Sequence, residues 1–213
     1  MKYAILFTVV LSLVVPAFGA GTYYLLDEDW ETGGYWGADS PPSPWYCFYS
    51  SPADGNDWHG DTGSYAPSGY AGVVGWSPSE SPQSDLLYTV VDLSTIDLVP
   101  SEGDELYMDF DHILNWFSSG YSGYASVRCL TPSGYNTLMY WSHGGTVSGS
   151  YNIDLAAYAG VTYFALSFNE YLSNSFGIDG WGVDNIVVTH VNEDPVNIKS
   201  ASLGEIKALY RDH

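Results

Sequence analysis

One carboxylate constrains this chain more than any other residue. Asp184 lies in the run Gly182 to Thr189, GVDNIVVT, whose β-branched Val183, Ile186, Val187 and Val188 read as a buried strand. If the strand keeps period two, Asp184 shares a face with Ile186 and Val188. A carboxylate placed there costs several kcal/mol unless something neutralises it. The chain holds 25 acidic and only 5 basic residues, so the neutraliser is a metal ion or a ring of backbone N–H groups.

The rest of the chain reads as short strands broken by Gly/Pro turns. Thr22 to Glu31 opens it, with Tyr24 and Leu26 on one face and Asp27, Asp29 and Glu31 on the other. A long turn-rich stretch, Thr32 to Gly69, carries isolated aromatics that argue for order. Further strands follow at Tyr70–Trp76, Leu86–Leu93, Glu105–Asn115, Tyr124–Leu130, Tyr135–Trp141, Tyr151–Leu155 and Thr162–Phe168. The clearest alternation puts Leu106, Met108, Phe110 and His112 on one face of its strand. Ala125, Val127 and Cys129 face inward on the next, and Phe164, Leu166 and Phe168 make a core face near the end. This pattern predicts an all-β fold, a two-sheet antiparallel β-sandwich of jelly-roll type.

Lys2, the apolar run Ala4 to Val15 and the small residues Ala17 to Ala20 read as a secretory signal peptide over 1–20. The run falls short of the ~20 residues that span a bilayer. The expected organisation is a sandwich domain over 21–191 and a tail over 192–213. In the tail, Ser202 and Glu205 form a capping box for a short amphipathic helix. The mature protein is expected outside the cytoplasm, secreted or at a cell surface. A net charge of −20 excludes nucleic acid and anionic membranes as partners. Two cysteines, Cys47 and Cys129, can form one disulfide in that compartment.

Three segments together resemble a known family. EDWE (Glu28 to Glu31) opens the domain, DLAAYAG (Asp154 to Gly160) comes near its end, and GWGVDNIVVT closes it. They resemble the secreted jelly-roll modules called MAM-like, cleaved-adhesin or choice-of-anchor J domains, over roughly Tyr24 to Val191. The resemblance implies neighbouring first and last strands and a structural calcium ion held by Glu31 and Asp184. Asp29 is a third candidate ligand, and Ca²⁺ takes six to eight oxygens, many from backbone carbonyls.

Other constellations are weaker. Asp54, Asn56 and Asp57 begin like an EF-hand loop, but Trp58 and Tyr65 occupy ligand positions five and twelve, which leaves an irregular second calcium loop or an Asx/Gly turn cluster. Aromatics on loops could stack sugar rings: Trp36, Trp45, Tyr46, Trp58, Tyr65, Trp116, Tyr121 and Tyr124. Trp30, Trp76, Trp141 and Trp181 lie in or beside strands and read as core. Asp27, Asp29 and Glu31, or Asp109 and Asp111, are carboxylate sets with the strand spacing of glycoside hydrolysis, which needs two carboxyls ~5–5.5 Å apart in retaining enzymes. No serine-hydrolase or zinc-protease motif occurs. The reading is a non-catalytic, calcium-stabilised binding or adhesion module for glycans or surface proteins. The alternatives are a glycoside hydrolase and a structural surface-assembly protein.

Overall fold

The computed structural model describes residues 21–192, apart from 39, 50–56, 77–81, 95, 97–102, 118–121, 143, 175 and 176. The signal peptide, Asp54, Asn56, Tyr121 and the tail helix lie outside these residues. The strands are β1 (Gly21–Glu28), β2 (Tyr46–Tyr49), β3 (His59–Asp61), β4 (Ala71–Gly75), β5 (Gln83–Asp92) and β6 (Glu105–Trp116). They continue with β7 (Gly123–Thr131), β8 (Gly134–Ser142), β9 (Thr146–Asp154), β10 (Tyr163–Leu172) and β11 (Ile178–Asn192). They form two antiparallel sheets packed as a jelly-roll sandwich. One runs β3-β4-β11-β6-β9, with β1 also on β11; the other runs β2-β5-β10-β7-β8.

The first and last strands are neighbours, as the resemblance implies. β11 pairs with β6 along one edge; on its other edge β4 takes Gly180–Val183 and β1 takes Ile186–Asn192. Where β1 and β4 meet, Trp30 inserts a fully buried indole and donates Nε1–H to the Val183 carbonyl at 3.0 Å. Trp30 has φ +59, which ends β1 at Glu28. Asp27, Asp29 and Glu31 therefore do not line one strand face, and the expected strand to Glu31 is three residues too long.

The alternation in β6, β7 and β10 holds. Met108, Phe110, Ala125, Val127, Cys129, Phe164, Leu166 and Phe168 are all buried between the sheets. The tryptophans expected on loops join them: Trp36, Trp45, Trp58 and Trp116, the last of these on β6, are each no more than 6% exposed. They are core, not ligand platforms. Trp45 packs on Trp30 at 5.2 Å between ring centroids and Trp58 on Trp181 at 5.4 Å. The physical reason is area. A buried aromatic removes about 150–250 Å² from water, roughly 4–6 kcal/mol at about 25 cal/mol per Å², so a loop rich in indoles folds over the sandwich.

Cys47 and Cys129 are not joined. Cys47 is on β2 and Cys129 on β7, with β5 and β10 between them. Three strand spacings are about 14 Å, well beyond the reach of a disulfide. Burial pushes the Cys129 thiol up to about 12. A reductant is expected to leave the melting temperature unchanged, and two thiols to titrate once the chain is denatured.

His112 is 1% exposed, with neither ring nitrogen hydrogen-bonded. Trp141 and Tyr151 pack on its ring at 4.5 and 5.2 Å. Burial lowers its pKa from 6.5 to about 4, against the pull of Asp111. Between those values the unfolded chain binds a proton that the folded chain does not, so stability is lost as pH falls from 6.5 towards 4. The full loss is about 3 kcal/mol. His112→Phe is expected to remove this part of the acid limb, read by urea denaturation across that pH window.

Candidate functional site

Two features are built on the sheets. The first is a clasp on the outer face of β11. A bulge between Asp184 and Val187, with Asn185 at φ +50, resets the alternation. Asp184 therefore pairs with Asp111 and shares its outer face, opposite to Ile186 and Val188, where strict period two would have placed it. It is still fully buried, because the 62–70 segment lies over it. A Cβ at Gly182 would overlap the Tyr65 carbonyl, so glycine here lets the segment lie flat on the strand. Ser68 donates Oγ–H to Asp184 Oδ2 at 2.6 Å, and the Asn185 amide donates to Oδ1 at 2.8 Å. Burial raises the Asp184 pKa, opposed by these donors.

Glu31 grips the same segment from the other side. Its Oε1 accepts the Tyr70 N–H at 2.8 Å, and its carboxylate occupies the space a Cβ at Gly69 would need. Asp29 accepts the Glu31 N–H at 3.0 Å in a turn. Glu31 and Asp184 thus meet through Ser68, Gly69 and Tyr70. The oxygens there are two carboxylates and the Ser68 hydroxyl, which suit Ca²⁺, and N–H or O–H donors from Ser68, Tyr70 and Asn185 already answer the carboxylates. Among the described residues, no three His, Cys, Asp or Glu side chains are grouped to hold a metal. Asp57 is fully buried, and its carbonyl lies 2.6 Å from His59 Nδ1. Sequence reasoning missed Glu28, whose carboxylate accepts from the Trp30 amide at 2.9 Å and the Trp45 indole at 3.1 Å.

Asp109 and Asp111 line a shallow cleft of about 370 Å³ beside the bulge. Each is held by an amide: Asn152 Nδ2 donates to Asp109 and Asn185 Nδ2 to Asp111, both at 2.8 Å.

The second feature is the outer face of the β2-β5-β10-β7-β8 sheet. A solvated face should alternate to polar residues. This one alternates to tyrosine. Tyr46 stacks on Tyr88 across β2 and β5, with ring centroids 5.3 Å apart. Tyr124 stacks on both Tyr171 and Tyr140, at 5.5 Å each, across β10, β7 and β8. Tyr46, Phe48, Tyr135 and Tyr140 are each more than half exposed. Between the two aromatic groups lie Ser167 and Asn169 of β10, whose neighbours on β7 are Arg128 and Ser126. Asn169 Nδ2 donates to Ser167 Oγ at 3.0 Å. The result is a polar trough about two strand spacings, ~10 Å, across, in which Asn169 is partly exposed while Ser126 and Ser167 are buried. Of the loop aromatics singled out from sequence, Tyr46 and Tyr124 belong to this face. The signal for the remainder was the complement of the core alternation: Tyr124, Ser126 and Arg128 stand out of phase with Ala125, Val127 and Cys129.

No protein-family model matches the chain, and no curated protein matches it in sequence. Seventy chains of solved structures match it in shape. The K3 cleaved adhesin domain of Lys-gingipain from Porphyromonas gingivalis w83 is 16% identical with a TM-score of 0.48, over 78% of this chain and 99% of that one. The carbohydrate-binding module TmCBM61, solved with β-1,4-galactotriose, is 14% identical at TM-score 0.46, over 76% and 93%. The Stig cyclase Fisc from Fischerella sp. TAU is 13% identical at 0.49, over 82% and 100%. Similarity at this level sets neither a family nor a ligand for this chain.

The clasp yields a stability prediction. Gly182→Val forces the 62–70 segment off β11 and is expected to cost about 2–3 kcal/mol. Ser68→Ala leaves Asp184 short of a donor and is expected to cost about 1–3 kcal/mol. Chemical denaturation measures both; unchanged midpoints would mean the segment does not bind the strand.

Proposed function

We propose that this protein is a secreted, non-catalytic binding module whose ligand is a glycan, held on the tyrosine face of the β2-β5-β10-β7-β8 sheet. The observation that carries the reading is the pair of stacked tyrosine groups flanking a polar trough. Tyrosine rings offer apolar faces to the C–H surfaces of sugars and keep a hydroxyl for hydrogen bonding. Asn169, partly exposed between them, offers an amide to sugar hydroxyls. An exposed aromatic surface of this extent on one sheet marks an interaction site. The non-catalytic part is supported by the carboxylates near the cleft: Asp109 and Asp111 are committed to amide donors.

Calcium belongs to the same proposal as a stabiliser of the clasp. Glu31 and Asp184 would hold it with backbone oxygens, on the sheet opposite the tyrosine face. A melting temperature that rises in calcium, with the rise abolished by Asp184→Asn, supports this role. Identical melting in calcium and chelator rules it out.

The binding reading is tested by a glycan array followed by calorimetry on the best binder. Tyr88→Ala and Tyr124→Ala are each expected to weaken binding about tenfold to thirtyfold, or about 1.4–2 kcal/mol. Their melting temperatures should fall by no more than several degrees, the loss of the cross-strand ring stacks, with cooperative unfolding retained because the core is untouched. A parent that binds no glycan, or variants that bind as the parent does, would refute it.

A further inference from the structure

We infer that the ligand of the tyrosine face carries a carboxylate, and that Arg128 receives it. This rests on the glycan-binding reading above and adds the chemical class of the glycan.

The sequence has five Lys and Arg residues: Lys2, Arg128, Lys199, Lys207 and Arg211. Arg128 alone lies among the described residues, and it sits on the tyrosine face. Its guanidinium carbon is 5.3 Å from the Tyr124 ring centroid and 5.2 Å from that of Tyr135. Its Nε is buried with no hydrogen-bond partner. The ion pair in the described residues is between His190 and Asp104, so Arg128 has no carboxylate partner there.

That isolation is informative in a chain with 25 acidic residues. An arginine kept to neutralise the protein's own charge would stand beside one of them. The residues directly across the sheet from Arg128 are Ser167 and Thr137, and its neighbours along the face are Ser126 and Leu130. None is acidic. The rings of Tyr124 and Tyr135 instead hold the guanidinium as a flat, preorganised plate; with Nε covered, the two Nη groups are the fork offered to a carboxylate. A cation–π contact of this kind lowers the cost of leaving the charge unpaired when no ligand is bound. The trough floor, Ser167 and Asn169, lies beside it.

Net charge narrows the class further. A protein at −20 repels densely charged polyanions at long range. One arginine answers one carboxylate. The ligand is therefore a largely neutral glycan bearing an isolated acidic sugar, a hexuronate or a sialate, and not a polysulfated chain.

The test uses paired oligosaccharides on the full mature protein. One pair is xylotriose bearing a single glucuronate against the same compound with its carboxyl reduced. The other is sialyllactose against its carboxyl-reduced form. The acidic member of one pair is expected to bind at least tenfold more tightly, and which pair responds identifies the acidic sugar. Arg128→Gln should bring the two members level while neutral binding persists, and Arg128→Lys should recover part of the difference. If Arg128→Gln does not fold, the reduced-carboxyl comparison on the parent still decides. Equal binding of acidic and reduced members of both pairs overturns the inference and leaves the glycan-binding reading standing. Absence of all glycan binding on the array overturns both.

Discussion

The pairing of β11 on both edges is the constraint on which the rest depends. This strand of fifteen residues pairs with β6 along most of its length, on both sides of the bulge, and with β4 and β1 in succession. It ties the beginning of the domain to its end. Being central, it buries one face in the core, where Trp181, Val183, Ile186 and Val188 are fully covered. Its outer face would be open water, but Gly180, Gly182 and Asp184 admit a covering segment instead. Two glycines without side chains provide the flat bed, and Asp184 provides the anchor. Tyr65 completes it from the segment's side; burial and a hydrogen bond to Asp179 push its phenol up to about 12. The carboxylate that looked misplaced in an apolar run is thus the point where a long connection is fastened to the sheet.

That fastening explains why the tryptophans and the tyrosines separate. The connection from β1 to β4 carries Trp30, Trp36, Trp45 and Trp58, and held against the sandwich it delivers all four into the interior. Indole has the greater area to hide, and one polar atom to satisfy; Trp30 and Trp45 satisfy theirs on Val183 and Glu28. Tyrosine carries a hydroxyl that water can hydrate, so it tolerates an exposed strand position better. The tryptophans of the connection complete an interior begun by the strands, and the tyrosines of β5, β7, β8 and β10 are left to make a surface.

The strands were legible because period-two alternation is a local signal. Leu106, Met108, Phe110 and His112 could be assigned to one face without knowing what lay opposite. Three things were not local. The bulge at Asn185 flips Asp184 to the other face, and asparagine only permits the left-handed conformation without requiring it. The burial of Trp36 and Trp58 depends on a chain path closed by Ser68, far along the sequence. The tyrosine face needs the strand order β2-β5-β10-β7-β8, in which residues as distant as Phe48 and Tyr140 fall in register through Leu86, Asn169 and Ser126. Each strand shows only one or two outward tyrosines, which reads as ordinary strand propensity. Their number becomes meaningful only when the rows are assembled.

On the proposed reading, placing recognition on a sheet instead of on loops has an energetic consequence. Side chains on paired strands have already lost most of their freedom on folding, and stacking of Tyr124 on Tyr171 and Tyr140 restricts the rings further. Binding then orders few protein groups, and the entropic cost that weakens loop-built sites is reduced. A rigid face also spaces its contacts by the strand separation, ~4.8 Å across the sheet. Such a face selects ligands that are themselves stiff and present a broad flat side, which describes a sugar chain better than a flexible peptide. The same rigidity holds Arg128 between two rings with its charge unanswered, so the proposed ligand would be read by shape along the tyrosines and by charge at one point.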